Sequence, residues 1–113
     1  MNGASEIAAY FEAWNKGDLE AVLGCLSEDV VLEDVPSGHI ARGTAEARDF
    51  VEGALRKAPG AEYEIVTSRT DADSFAVEWI MRPVGLRGAS VGSLRAGRIC
   101  ANRDYWNAGA VPA

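Results

Sequence analysis

The stretch "VVLEDVPSGH", residues 30–39, sets a carboxylate into the end of an apolar strand. Val30, Leu32 and Asp34 share one side of an extended chain, and Val31, Glu33 and Val35 share the other. If Val30 and Leu32 face a core, Asp34 faces it with them. Burying a carboxylate is costly unless it is hydrogen-bonded or neutralised. Two readings are open. Asp34 caps the turn "VPSG", for which Asp is suited, or it stands inside the fold as a working acid or base.

Helical patterns flank this strand. Ile7, Tyr10, Phe11 and Trp14 fall at i, i+3, i+4 and i+7, one apolar helix face. Ser5 is expected to cap its start, and "NKGD" to end it with Gly17 in a left-handed conformation. Asp18 caps a second helix with Leu19, Val22, Leu23 and Leu26 inward. After "PSGHIARG", a loop or short strand, Thr44 caps a third helix that turns Ala47, Phe50, Val51, Ala54 and Leu55 to one face. The remainder reads as four strands, 62–70, 74–82, 86–95 and 98–107, with "RAGR" as a tight hairpin and 108–113 as a loose tail. Helices followed by a strand meander predict an α+β fold, helices packed on one face of an antiparallel sheet.

The chain has 113 residues, expected to form one domain over 1–113, and 48% of them are hydrophobic. A formal charge of −6, with scattered Lys and Arg, argues against nucleic acid or an anionic membrane as partner. No apolar run approaches the roughly 20 residues of a membrane span. The N-terminal "MNGASEIAAYFEAW" lacks a signal peptide's basic region and cleavage site. Two unspaced cysteines, Cys25 and Cys100, fit reduced thiols and a cytoplasmic location. One histidine and no Cys/His cluster give no basis for a metal site.

"AAYFEAWNKGDLEAVLGCLSEDVVLEDVPSGHIARGTAEARDFVEGAL" resembles the first half of the ketosteroid isomerases and SnoaL-like polyketide cyclases. "GRICANRDYWN" is similar to their last strand. The resemblance implies the cone-shaped fold of nuclear transport factor two, with three N-terminal helices on a curved sheet. It implies cofactor-free proton transfer on a hydrophobic ketone or polyketide-like substrate, and a homodimer formed on the outer sheet face, where Ala89, Val91 and Cys100 fall on an outward parity in parts of the last strands and need cover. Asp34 takes the place of the proton-shuttling carboxylate, and Tyr10 that of the tyrosine donating to an enolate oxygen. The family's second donor, an aspartic acid, falls near Ser90 here. Asp104 also resembles an acidic residue of limonene epoxide hydrolases, whose Arg and Asp partners are replaced by Trp79 and Met81. Epoxide opening, with Asp104 as base, and ligand binding without catalysis are therefore the alternatives.

The candidate site thus consists of Asp34, Tyr10 and Asp104 as catalytic groups. Trp14, Phe50, Trp79, Met81, Ser90, Asn102 and Trp106 are the expected substrate-binding residues, with His39 in a lesser role. Asn102, Asp104 and Trp106 share one parity, which Cys100 also shares, and are read as inward. The opposite register would leave Asp104 on the surface to pair with Arg98 or Arg103. Gly88, Ser90 and Gly92 put only small groups on one strand face, leaving room for a ligand or for strand curvature.

Overall fold

The computed structural model describes residues 3–110. Three helices, α1 (Ala4–Asn15), α2 (Leu19–Gly24) and α3 (Gly43–Lys57), accompany six strands. The strands are β1 (Leu26–Asp34), β2 (His39–Arg42), β3 (Glu62–Thr70), β4 (Ser74–Arg82), β5 (Leu86–Arg95) and β6 (Arg98–Trp106). They form one sheet in the order β2-β1-β6-β5-β4-β3. The α+β expectation holds, with one refinement. Four pairings are antiparallel, but β1 runs parallel to β6. A parallel pair needs a long crossover, and here the whole chain between Asp34 and Arg98 supplies it.

The helix ends differ in detail from the sequence reading. Helix α1 starts after Gly3 (φ 80°) with no side-chain cap, and the Ser5 hydroxyl turns to Glu6 instead. Asp18 caps α2 as expected, accepting from the Ala21 N–H at 3.1 Å. Leu26 is buried but belongs to β1, which begins four residues earlier than Val30. Thr44 does not cap α3. Its hydroxyl lies 3.5 Å from the Glu28 carbonyl, while Glu46 reaches back to accept the Arg42 N–H. The last α1 residue is pinned to β3: Asn15 accepts from the Tyr63 N–H at 2.6 Å and donates to its carbonyl at 3.3 Å. That clasp sets the aromatic face of α1 against the inner face of the sheet.

The core lies between helices and sheet. Ile7, Tyr10 and Phe11 of α1, Ala47 and Val51 of α3, and Val30, Leu32, Phe75, Val77 and Trp79 of the sheet are buried. Each large apolar side chain buried in this way contributes on the order of 1.5–3 kcal/mol. Irregularities curve the sheet. Register breaks at Ile65/Thr67 in β3, and between Ile99 and Ala101 in β6. The second leaves Cys100 as an extra residue, so Ile99 and Asn102 are both buried although their parities differ. Cys100 therefore does not share the inward side with Asn102; the bulge separates them.

The small residues of β5 serve contact rather than vacancy. A Cβ on Gly88 would lie 2.4 Å from Cη2 of Trp79, and one on Gly92 would lie 2.0 Å from the Ala101 carbonyl oxygen. Of the expected tail, Ala108–Ala110 forms a short 3-10 turn, and 111–113 lie outside the described residues.

The β5–β6 hairpin carries Ala96 at φ 52° and Gly97 at φ 77° between the paired Arg95 and Arg98. Two left-handed residues make a type I′ loop, which favours Asn-Gly. Alanine in that region costs roughly 1–2 kcal/mol, a penalty that asparagine relieves in part. Ala96→Asn is expected to raise stability by about 0.5–1 kcal/mol, and Ala96→Val to lower it. Urea denaturation midpoints check this; an Ala96→Asn midpoint at or below the parent's would contradict the turn.

Candidate active site

Asp34 closes β1, and the pairing of β1 with β6 places Asp104 beside it in register. Ser90 stands opposite Asp104 on β5, and His39 opposite Asp34 on β2. A single row, His39–Asp34–Asp104–Ser90, therefore crosses the inner face of the sheet. Neighbouring backbones in such a row are about 4.8 Å apart, close enough for the two carboxyls to feel each other's charge.

The two readings of Asp34 turn out to be compatible. One oxygen accepts the Trp106 indole N–H at 2.5 Å. The other accepts the Ser37 hydroxyl at 2.5 Å, inside the turn that follows the strand. Asp34 thus closes the turn and faces the cavity with the same carboxylate.

Asp104 faces inward too, and no ion pair to Arg98 or Arg103 forms; the Arg103 guanidinium lies 3.3 Å from the Tyr105 hydroxyl. Its Oδ1 accepts from the Ser90 hydroxyl at 2.6 Å and from the Asn102 amide at 2.9 Å. Burial raises the Asp104 pKa; the Ser90 and Asn102 hydrogen bonds pull against that rise, and the Asp34 charge adds to it. The side-chain donors to both carboxyls are neutral groups.

Aromatic side chains roof this row. Tyr10 is buried, and its ring meets Trp14 edge-on at 6.3 Å. Tyr63 meets Trp14 at 6.2 Å and Trp79 at 4.9 Å. Burial, reinforced by the negative Asp104, drives the Tyr10 pKa far above the usual phenol value. Burial first, then the charges of Asp104 and Asp34, pushes Tyr63 up to about 12. Both hydroxyls therefore keep their protons at any working pH and can only donate or accept hydrogen bonds. Together these groups line an open cavity of about 1200 Å³.

The cavity gathers most of the residues singled out from the sequence: Tyr10, Trp14, Asp34, His39, Phe50, Trp79, Met81, Ser90, Asp104 and Trp106 all line it. His39 is stacked on Phe50 at 5.4 Å and 13°, forming part of one wall. Asn102 is buried outside the lining and touches the cavity chemistry only through Asp104. The hydroxyl hydrogen of Ser90 is committed to Asp104, so it does not point at a ligand oxygen. The polar lining groups Tyr63, Ser37, Asp49 and Lys57 were not picked out from the sequence. For Tyr63 the signal was present, since it alternates with Glu62 and Glu64 as an inward aromatic. Among the described residues no group of three or more His, Cys, Asp or Glu side chains could hold a metal ion.

Comparison with known proteins agrees with this arrangement. The model of the SnoaL-like domain matches residues 7–102. The chain belongs to the SnoaL-like domain family. No curated protein matches it. Among solved structures it is similar to a Catenulispora acidiphila protein with a ketosteroid isomerase-like fold, crystallised with trimethylamine. That likeness has 16% identity and a TM-score of 0.86, over 96% of this chain and 89% of that one. A SnoaL-like protein of unknown function from Burkholderia thailandensis gives 19% identity and a TM-score of 0.81, over 93% and 95%. A candidate ketosteroid isomerase from Kribbella flavida gives 20% and 0.79, over 98% and 82%. At such identities the likeness to these structures shows the fold, the cone-shaped one of nuclear transport factor two. The SnoaL-like fold holds its helices over a curved sheet, as here.

The raised pKa of Asp104 has a consequence for stability. Unfolded, an aspartate titrates near 3.9; folded, Asp104 holds its proton to higher pH. The folded state then binds more protons between those values, so stability falls as pH rises through that window. Asp104→Asn removes the effect. The midpoint of the parent, relative to Asp104→Asn, should drop between a pH near 4 and one well above neutrality. Thermal midpoints at both values measure it, and a relative midpoint that rises with pH would contradict the burial of Asp104.

Proposed function

We propose that the protein is a cofactor-independent enzyme of the ketosteroid isomerase/SnoaL type, moving a proton on a small hydrophobic ketone or polyketide-like substrate. The observation that carries this reading is the in-register pair Asp34–Asp104 on the inner wall of an aromatic cavity. Burial and the neighbouring negative charge make Asp104 the carboxyl that holds its proton. Asp34, which accepts a hydrogen bond on each oxygen, serves as the base. It takes a proton from the carbon beside the substrate carbonyl. The negative charge that develops on the carbonyl oxygen is met by the Tyr10 hydroxyl, with Tyr63 beside it. Asp104 supplies or receives the second proton. Return of the proton to a different carbon gives an isomerised ketone. Attack of the enolate on a second carbonyl of the same molecule forms a ring, its alkoxide taking the proton.

Trp14, Phe50, Met81 and Trp106 provide the apolar walls for the substrate body. Water-driven epoxide opening, with Asp104 as base, is the second reading; it draws support from the Asn102–Asp104 hydrogen bond, a polar pair beside the cavity. The unpaired thiols Cys25 and Cys100 accord with a cytoplasmic location. The outer sheet face, where Ala89, Val91 and the 44%-exposed Tyr105 meet, supports a homodimer.

Turnover on a panel of enolisable ketones and of epoxides tests the reading. Activity on ketones is expected, with losses of about 10²–10⁴-fold in Asp34→Asn and Asp104→Asn and about 10²–10³-fold in Tyr10→Phe. Activity confined to epoxides selects the second reading. Binding of both panels without turnover would leave a ligand-binding module. Sedimentation at high micromolar concentration tests the assembly: a dimer is expected, reduced to monomer by Val91→Glu, and a monomeric parent overturns it.

A further inference from the structure

We propose that Ser90, fixed by Trp79, is a positioning residue that sets the acidity of Asp104 and the oxygen through which it works. The inference rests on the reading of Asp104 as a working carboxyl. The Trp79 indole N–H lies 2.9 Å from the Ser90 Oγ, and Ser90 in turn lies 2.6 Å from the Asp104 Oδ1. An indole N–H can only donate, and a serine has one hydrogen to give. With Trp79 occupying a lone pair of Oγ, the serine hydrogen is left to point at Asp104. Ser90 is 3% exposed, so no solvent competes for it.

The Asn102 amide donates to the same Oδ1. Both side-chain hydrogen bonds to Asp104 therefore land on one oxygen. Oδ2 is left to exchange protons with whatever fills the cavity that Asp104 lines. Donors to the charged form lower a carboxyl's pKa, so Ser90 offsets part of the rise that burial imposes. Asp104 is held as an acid that can still release its proton.

Gly88 is part of the same device. It pairs with Trp79 across β4 and β5, and a methyl group there would collide with the indole ring. The bare backbone of Gly88 lets the ring lie flat enough for its N–H to reach Ser90. The other groups that bear on Asp104 come from each neighbouring element: Asp34 from β1, Tyr10 from α1 and Tyr63 from β3. His39 ends the row on β2, and Asp49 and Lys57 of α3 line the cavity.

Carboxyl-carbon NMR of the isotopically labelled protein reads the Asp104 titration without any substrate. It therefore stands even if no turnover is found. Ser90→Ala is expected to raise the Asp104 midpoint by about one pH unit, and Ser90→Thr, which keeps the hydroxyl, to restore it. Trp79→Phe, which frees the serine to rotate, is expected to shift it in the same direction by less. A Ser90→Ala midpoint equal to that of the parent, or one that Ser90→Thr leaves displaced, overturns the proposal. Where Ser90→Ala does not fold, an unshifted midpoint in Trp79→Phe overturns it.

Discussion

The parallel pairing of β1 with β6 brings Asp34 and Asp104 side by side, and the chemistry of the cavity depends on that register. Neither carboxyl is unusual alone. One ends a strand before a turn, and the other sits in a strand between Arg103 and Tyr105. Placed next to each other on the inner face, they share one electrostatic environment, and the charge of Asp34 makes Asp104 harder to ionise. A slip of one residue would send one of them to the outer surface. The hairpin at Ala96–Gly97 and the bulge at Cys100 therefore matter to the site, although both lie far along the strand from Asp104.

The rest of the cone buries Asp104 and orients the pair. The clasp between Asn15 and Tyr63 sets α1 over the sheet, so Tyr10 and Trp14 stand above the carboxyl row. Trp79 and Phe75 fill the space left by Gly88 and Gly92, which closes the floor beside Asp104. Desolvation is the largest cause of the displaced titrations of Asp104, Tyr10 and Tyr63 alike. The same packing that stabilises the fold thus creates the acid–base properties of the site. Helix α3 adds the second wall, where Phe50 stacks on His39.

Much of this was legible in the sequence because it follows from periodicity. The apolar faces of α1 and α3, the four long strands and the inward parity of Asp34 and Asp104 are local patterns. Residues whose role depends on a distant partner were harder. Nothing near Thr44 indicates that its hydroxyl turns to Glu28, and nothing near Ser90 indicates that Trp79 would take its lone pair. The parallel β1–β6 contact joins strands more than sixty residues apart, which no local pattern encodes. The bulge at Cys100 shows the limit of alternation itself: Ile99 and Asn102 are both inward, three residues apart. Gly88 and Gly92 read equally as space for a ligand or as close approach of a neighbour, and only tertiary structure separates the two.

The most direct test of the coupled pair is the titration of the Asp104 carboxyl in the parent and in Asp34→Asn. Carboxyl-carbon NMR follows it as a function of pH. The negative charge of Asp34 is one of the forces that raise the Asp104 pKa. Removing that charge should lower the Asp104 midpoint while the chemical shifts of the core remain those of the folded protein. An Asp104 midpoint that stays where it was, or moves upward, in a folded Asp34→Asn protein would contradict the coupling of the two carboxyls.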